Sequence, residues 1–155
     1  MKLKRAAVLL TASALVAVCL AGCMFADNPA VKAAKTPDFK DFVGTYEAYG
    51  ISSDGSDFEL TPQGRAFLRF RLPSGKESGD LIAQFRTSGA QWSDSAVLFY
   101  TGSEAAEGYY YYIFKDSSTS DSEFGFFPEG PYTGSMEVLF ATNDGYLYFK
   151  RIATS

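Results

Sequence analysis

The chain of 155 residues has no histidine and only two cysteines, Cys19 and Cys23. The first absence removes histidine general bases, His-dependent triads and the commonest zinc and copper ligands. The second removes a disulfide framework and any cysteine cluster able to hold a metal. Helical periodicity is missing as well. Past residue 38, no run of about 12 residues keeps the i, i+3, i+4 spacing without a Gly or Pro. Long apolar sequence is confined to Ala6–Leu20, shorter than the ~20 residues that cross a bilayer as a helix. Basic charge is scarce, with 14 Lys and Arg against 18 Asp and Glu, which argues against nucleic acid as a partner. There is no phosphate-binding glycine loop and no repeat of solenoid period. The carboxylates, serines and lysines that remain select no catalytic pair, no metal site and no cofactor, so no enzyme is expected.

What is present begins at the N-terminus. Lys2, Lys4 and Arg5 precede the uncharged Ala6–Leu20 run, which has the length of a secretory h-region. The run ends Leu20-Ala21-Gly22-Cys23. This resembles the lipobox of bacterial lipoproteins at all four positions: an aliphatic residue, two small residues and the cysteine. The resemblance implies a signal peptide over 1–22, diacylglyceryl transfer to the Cys23 thiol and cleavage before Cys23. It also implies a bacterial envelope location on a lipid anchor. Because Met24 is not Asp, it points to the outer membrane. Two or more acyl chains anchor stably where one binds only marginally. The cleaved chain keeps one cysteine, and that one alkylated, so the domain behind it has no internal disulfide. From Cys23 on, eleven Lys and Arg face eighteen Asp and Glu, a net of −7, because the three N-terminal basic residues are removed. Residues 23–38, with Pro29 and Pro37 around an Ala/Lys stretch, read as a flexible tether. At about 5–6 Å × √n it spans roughly 20 Å.

Residues 39–155 read as one all-β domain. Short aromatic and β-branched runs alternate with Gly, Ser, Asp and Pro clusters. Strands are expected near 43–50, 56–60, 65–72, 79–87, 95–101, 108–115, 123–127, 134–141 and 146–152. The turns between them are short, which requires antiparallel neighbours. The pattern is an up-and-down meander of eight or nine strands, either a small barrel or a β-sandwich. In Arg65–Leu72 a period of two puts Ala66, Leu68, Phe70 and Leu72 on one face and the arginines on the other. The acidic stretch Asp54 to Glu59 lacks the order of a calcium loop and reads as a solvated hairpin turn.

Gly44-Thr45-Tyr46 on the first strand and Lys150-Arg151 near the end of the last are similar in order to the lipocalin and calycin pattern, with tyrosine where that family has tryptophan. The likeness implies a closed barrel with the arginine over the ring at one end. Two functions follow as expectations. In one, a small apolar ligand sits in the barrel, among Tyr46, Phe70, Phe85, Tyr100, Tyr109, Tyr111 and Arg151. In the other, the core is filled and an aromatic patch of Tyr110, Tyr112, Phe126 and Phe127 docks an envelope protein. The run Tyr109–Phe114 leaves both open, since it has no polar alternation and tyrosine can serve either face.

Overall fold

A computed structural model describes residues 37–154, apart from Ser56, Glu107, Gly108 and 118–121. The signal segment, Cys23 and the tether as far as residue 36 lie outside the described residues. Nine strands follow one 3-10 turn, Phe39–Phe42. They are β1 (Gly44–Ser52), β2 (Glu59–Leu60), β3 (Ala66–Arg71), β4 (Leu81–Thr87), β5 (Ala96–Ala106), β6 (Tyr109–Asp116), β7 (Glu123–Phe127), β8 (Glu137–Thr142) and β9 (Gly145–Ala153).

Each strand from β3 onward pairs antiparallel with the next, and β1 pairs with both β3 and β9. This closes an eight-stranded barrel, with β2 as a short addition beside the far end of β1. The barrel, rather than the sandwich, is the observed form. Closure brings two backbones together at Gly44. A Cβ there would stand 2.5 Å from the carbonyl oxygen of Ala153, so only glycine fits.

The strand expectations hold with two corrections. Only Glu59–Leu60 of the 56–60 run pairs as a strand, because Asp57 organises the turn before it. Its carboxylate accepts from the backbone N–H and hydroxyl of Ser53 and from the Ser52 hydroxyl. These hydrogen bonds hold the Asp57 carboxyl well below the usual carboxylate range. The strand expected over 95–101 is longer than that, since β5 runs on to Ala106, paired with β6 as far as Tyr109.

Period-two alternation sends one set of side chains inward. Leu68, Phe70, Leu81, Ala83, Leu98, Phe114, Phe124, Phe126, Val138 and Phe149 are buried there, joined by Phe42 from the 3-10 turn. Eight strands leave an interior just wide enough for side chains. Here the filling is aromatic. The Phe126 ring meets those of Phe42, Tyr46, Phe70 and Phe114 at 4.8–6.3 Å, mostly edge to face. Such pairs add about 0.5–1.5 kcal/mol each beyond area burial. A second cluster lies outside the barrel wall, with Tyr49, Leu139, Ala141, Tyr146 and Tyr148 packed under Phe58 and Phe127. Its members take the outward positions of the same alternation, Tyr49 beside inward Ala48 on β1, and Leu139 and Ala141 beside inward Val138 and Phe140 on β8.

Replacing Phe126 by Ala should lower the unfolding free energy by about 3–5 kcal/mol, because its four ring neighbours cannot all collapse into the gap. Replacing exposed Tyr109 by Ala should change it by about 0.5 kcal/mol or less. Urea titration of both variants checks the contrast.

Candidate functional site

The 3-10 turn closes one barrel end, and the geometry there is built around Tyr46. Phe39 and Phe42 insert their rings against Tyr100, Tyr112 and Phe114. The Tyr46 hydroxyl donates to the Phe42 carbonyl at 2.9 Å. It accepts from Arg151 through Nε at 3.2 Å and Nη2 at 3.1 Å. The same guanidinium donates to the Asp41 carbonyl and lies 5.5 Å from the Tyr46 ring centre. Arg151 thus ties the last strand, the first strand and the plug together. Burial pushes the Tyr46 phenol up to about 12, with the Arg151 charge pulling the other way.

The expected ligand set divides. Tyr46 and Phe70 are wholly buried, and Phe85 and Tyr100 line the interior as well. Tyr109 and Tyr111 do not join them. Tyr109 is exposed, and Tyr111 stacks on Phe127 at 4.8 Å outside the barrel. The expected docking patch divides in the complementary way. Phe126 is fully buried, and Tyr112 points inward onto Phe42. Phe127 is half-buried under Tyr111, and Tyr110 sits edge-on to Tyr112. The register explains both corrections. Tyr112 opposes Phe126 and Phe114 opposes Phe124, so the even-numbered positions of β6 face in. A one-residue slip would reverse the assignment, and isolated sequence does not set that register.

Inside the barrel the aromatic rings leave little room. The pocket at the mouth, lined by Leu68, Phe85, Ala96, Phe124 and Phe140, measures about 130 Å³. Sites for small organic ligands start at about 300 Å³. A broader cleft of about 890 Å³ lies outside the plug, between Lys40, Val43, Leu72, Tyr112, Met136 and Arg151.

Past Tyr100, β5 and β6 leave the barrel wall as a two-stranded ribbon. Strand β4 pairs with β5 only from Ala96 to Leu98. Strand β7 pairs with β6 only from Tyr112 to Lys115. Over residues 104–106 of β5 and 109–111 of β6 the two strands pair with each other alone. The tyrosine run staples them. Tyr111 donates across to Glu104 at 2.7 Å, and Tyr110 to the Ser103 hydroxyl at 2.5 Å. Both outer backbone edges of the ribbon lack a neighbouring strand among the described residues.

Sequence reasoning missed two further features. Glu137 is 3% exposed, yet accepts from the Tyr49 hydroxyl at 2.9 Å and the Thr133 N–H at 2.5 Å. It holds the 128–136 loop down, so that Tyr132 stacks on Phe58 over the outer cluster. Nothing near Glu137 in the sequence signals this. The second feature is Trp92, which folds back over Arg69 and Arg86 of the neighbouring strands. Among the described residues no group of three acidic, cysteine or histidine side chains is placed to hold a metal ion.

No family model, curated protein or solved structure matches this chain.

The tyrosines give a pH test of the plug. Unfolded tyrosine ionises near 10. Tyr46 holds its proton to about 12, and Tyr49 and Tyr148 are likewise raised, chiefly by burial. The folded state therefore binds more protons than the unfolded state in this window. The stability these groups contribute is complete below pH 10 and falls as pH rises toward 12. In urea titrations at pH 8 and pH 11, Tyr46→Phe should lose less stability across that interval than the parent chain. Equal losses would show that Tyr46 does not carry this dependence.

Proposed function

We propose that this chain is a lipid-anchored bacterial envelope protein that works through its outer surface, by adding a strand of a partner envelope protein to the edge of the β5–β6 ribbon. The observation that carries the reading is that ribbon. Among the described residues its edges offer backbone donors and acceptors with no strand beside them, the arrangement on which β-strand addition depends. Along the edge, Thr101 and Ala105 are exposed, with no bulky charged side chain between them except Glu104, which Tyr111 engages. The tyrosine staples keep the ribbon ordered before the partner arrives, which reduces the ordering cost of association.

The packed interior supports the same reading. A carrier needs an internal chamber, and the mouth pocket of about 130 Å³ is too small for one. The anchoring half rests on the sequence, on Leu20-Ala21-Gly22-Cys23 behind a charged n-region and an apolar run. An outer-membrane location follows from Met24 on the same resemblance. No catalytic role, cofactor or nucleic-acid partner is included.

Two experiments test the two halves. Cys23→Ala should abolish labelling by radioactive palmitate and move the protein out of the membrane fraction. Unchanged labelling would remove the anchor. For the ribbon, a photo-crosslinking amino acid at Ala105 in the native host should give a discrete adduct with one envelope protein. The same probe at Ile152, exposed near the end of β9, should not. Adding Ala105→Lys beside a probe at Thr101 should weaken the adduct, since an edge lysine discourages strand pairing. Equal crosslinking from Ala105 and Ile152 would refute edge recognition.

A further inference from the structure

Beyond residue 38 the chain has five arginines, and four of them, Arg65, Arg69, Arg71 and Arg86, lie on β3, on β4 or just before β3. Alternation puts them on the outer face of the barrel, opposite to inward Leu68 and Phe70. Arg71 has a partner, since Glu77 accepts from both of its terminal nitrogens at 2.5–2.6 Å. The Glu77 carboxyl is held down to about 2 by that pairing and by the Ser74 backbone. Arg65, Arg69 and Arg86 have no carboxylate partner among the described residues. In a protein with an excess of acidic residues, this face keeps its positive charge.

The centre of the face is assembled, not loose. Arg86 opposes Phe67 across the strand pair, and Arg69 opposes Gln84. The Arg86 guanidinium lies 4.8 Å from the Phe67 ring and 4.6 Å from the Trp92 ring. The Arg69 guanidinium lies 4.5 Å from the same indole. One Arg69 terminal nitrogen donates to Gln84 at 2.5 Å. Trp92 is fixed by its neighbour. The Ser93 N–H donates to the Phe85 carbonyl, the Ser93 hydroxyl accepts from the Phe85 N–H, and Gln84 donates to the Ser93 carbonyl. Glu47, on the strand beside β3, is engaged by the Gly64 N–H at 2.6 Å.

The arrangement leaves donors over. The Nε atoms of Arg69 and Arg86 have no acceptor but are shielded from solvent, so the donors open to a ligand are the terminal nitrogens, of which one on Arg69 is engaged by Gln84. A guanidinium carries five N–H donors in a planar fork. Aromatic faces offset its charge, but they supply no in-plane acceptor. Two such cations at one indole call for acceptor oxygens and two negative charges from outside the chain. A single carboxylate brings only one charge. A tetrahedral dianion brings both, with enough oxygens to engage two forks.

We propose that Arg69, Arg86 and Trp92 form a binding site for a doubly charged tetrahedral oxyanion, a phosphate or sulfate group. The guanidiniums supply charge and donors, and the indole lies within 4.6 Å of both. The site is independent of the ribbon and of the lipid anchor.

Trp92 is the only tryptophan in the chain, so its fluorescence reads this site directly. The full chain in a neutral detergent is titrated with inorganic phosphate, sulfate and acetate, with ionic strength held constant by chloride. Phosphate or sulfate should shift the emission saturably, and acetate should not. Arg69→Gln and Arg86→Gln should each weaken the response about tenfold or more, the loss of one charged hydrogen bond. Arg65→Gln should change it much less. Far-UV circular dichroism confirms that the variants keep the sheet. A second arm adds phosphatidic acid to the detergent micelles. A response there without one to free phosphate supports the site and names a lipid headgroup as the source. A response to both makes the free ion sufficient. If neither arm responds, if acetate acts as well as phosphate, or if Arg65→Gln weakens binding as much as Arg86→Gln, the site is refuted.

Discussion

The pairing of β1 with β9 governs the rest of the molecule. An open meander of this length would keep two unpaired edges and could widen or flatten around whatever it covered. Once Tyr46 is set opposite Arg151 and Ala48 opposite Phe149, the circumference is fixed. Interior volume is then fixed as well. The sequence supplies phenylalanine and tyrosine to that volume from nearly every strand, together with two rings from the 3-10 turn. They fill it. The same closure brings Arg151 over Tyr46, so the seam and the plug are one set of contacts. A barrel of this kind gains stability from the interior and has little interior left for chemistry.

That trade moves attention to the outer face, where the tyrosine run has its explanation. Within the barrel wall, the even-numbered positions of β6 contribute rings to the core. Beyond the wall there is no core, and a two-stranded ribbon alone is marginally stable in water. Tyrosine suits both settings. Its ring packs on Phe42 or Phe127 where a neighbour exists, and its hydroxyl reaches Ser103 or Glu104 where none does. Four tyrosines in succession therefore mark the place where a strand passes from wall to ribbon. Closure joins the two ends of the meander, and the ribbon keeps its edges because it runs past the wall.

The fold was legible because its signals are local. Turn residues at about ten-residue spacing and period-two alternation place most of the strands within a few residues, and of the face Ala66, Leu68, Phe70 and Leu72 the first three pack in the core cluster, while Leu72, one residue past the end of β3, is exposed. The Gly44-Thr45-Tyr46 and Arg151 pair was legible too, because its residues mark the two ends of the domain. The rest failed where two distant pieces decide jointly. The inward face of β6 depends on its register against β7. The length of β5 depends on β6 continuing beside it. Trp92 lies in a loop whose return across β3 and β4 depends on Ser93 finding the Phe85 backbone. Buried Glu137 makes sense only with Tyr49, which is 88 positions away in the chain. None of these is a property of a short window.

The two outer features lie toward opposite ends of the barrel, and this bears on how each could be reached. Pro37 enters at the plugged end, beside Lys40 and Thr154. The ribbon leaves the wall at that same end, since Tyr100 and Tyr112 are the residues that meet Phe39 and Phe42. Trp92 lies in the loop joining β4 to β5, at the opposite, open end. On the proposed anchoring, a tether of roughly 20 Å holds the plugged end near the bilayer. The ribbon edge then faces partners in or close to that bilayer, where the available strands belong to other envelope proteins. The arginine face looks outward from it. An oxyanion reaching Arg69 and Arg86 therefore comes more readily from solution, or from a polymer or surface across the gap, than from the bilayer that holds the anchor. One domain, closed by a single seam and filled by its own rings, keeps a backbone edge at its base and a cationic face toward its far end.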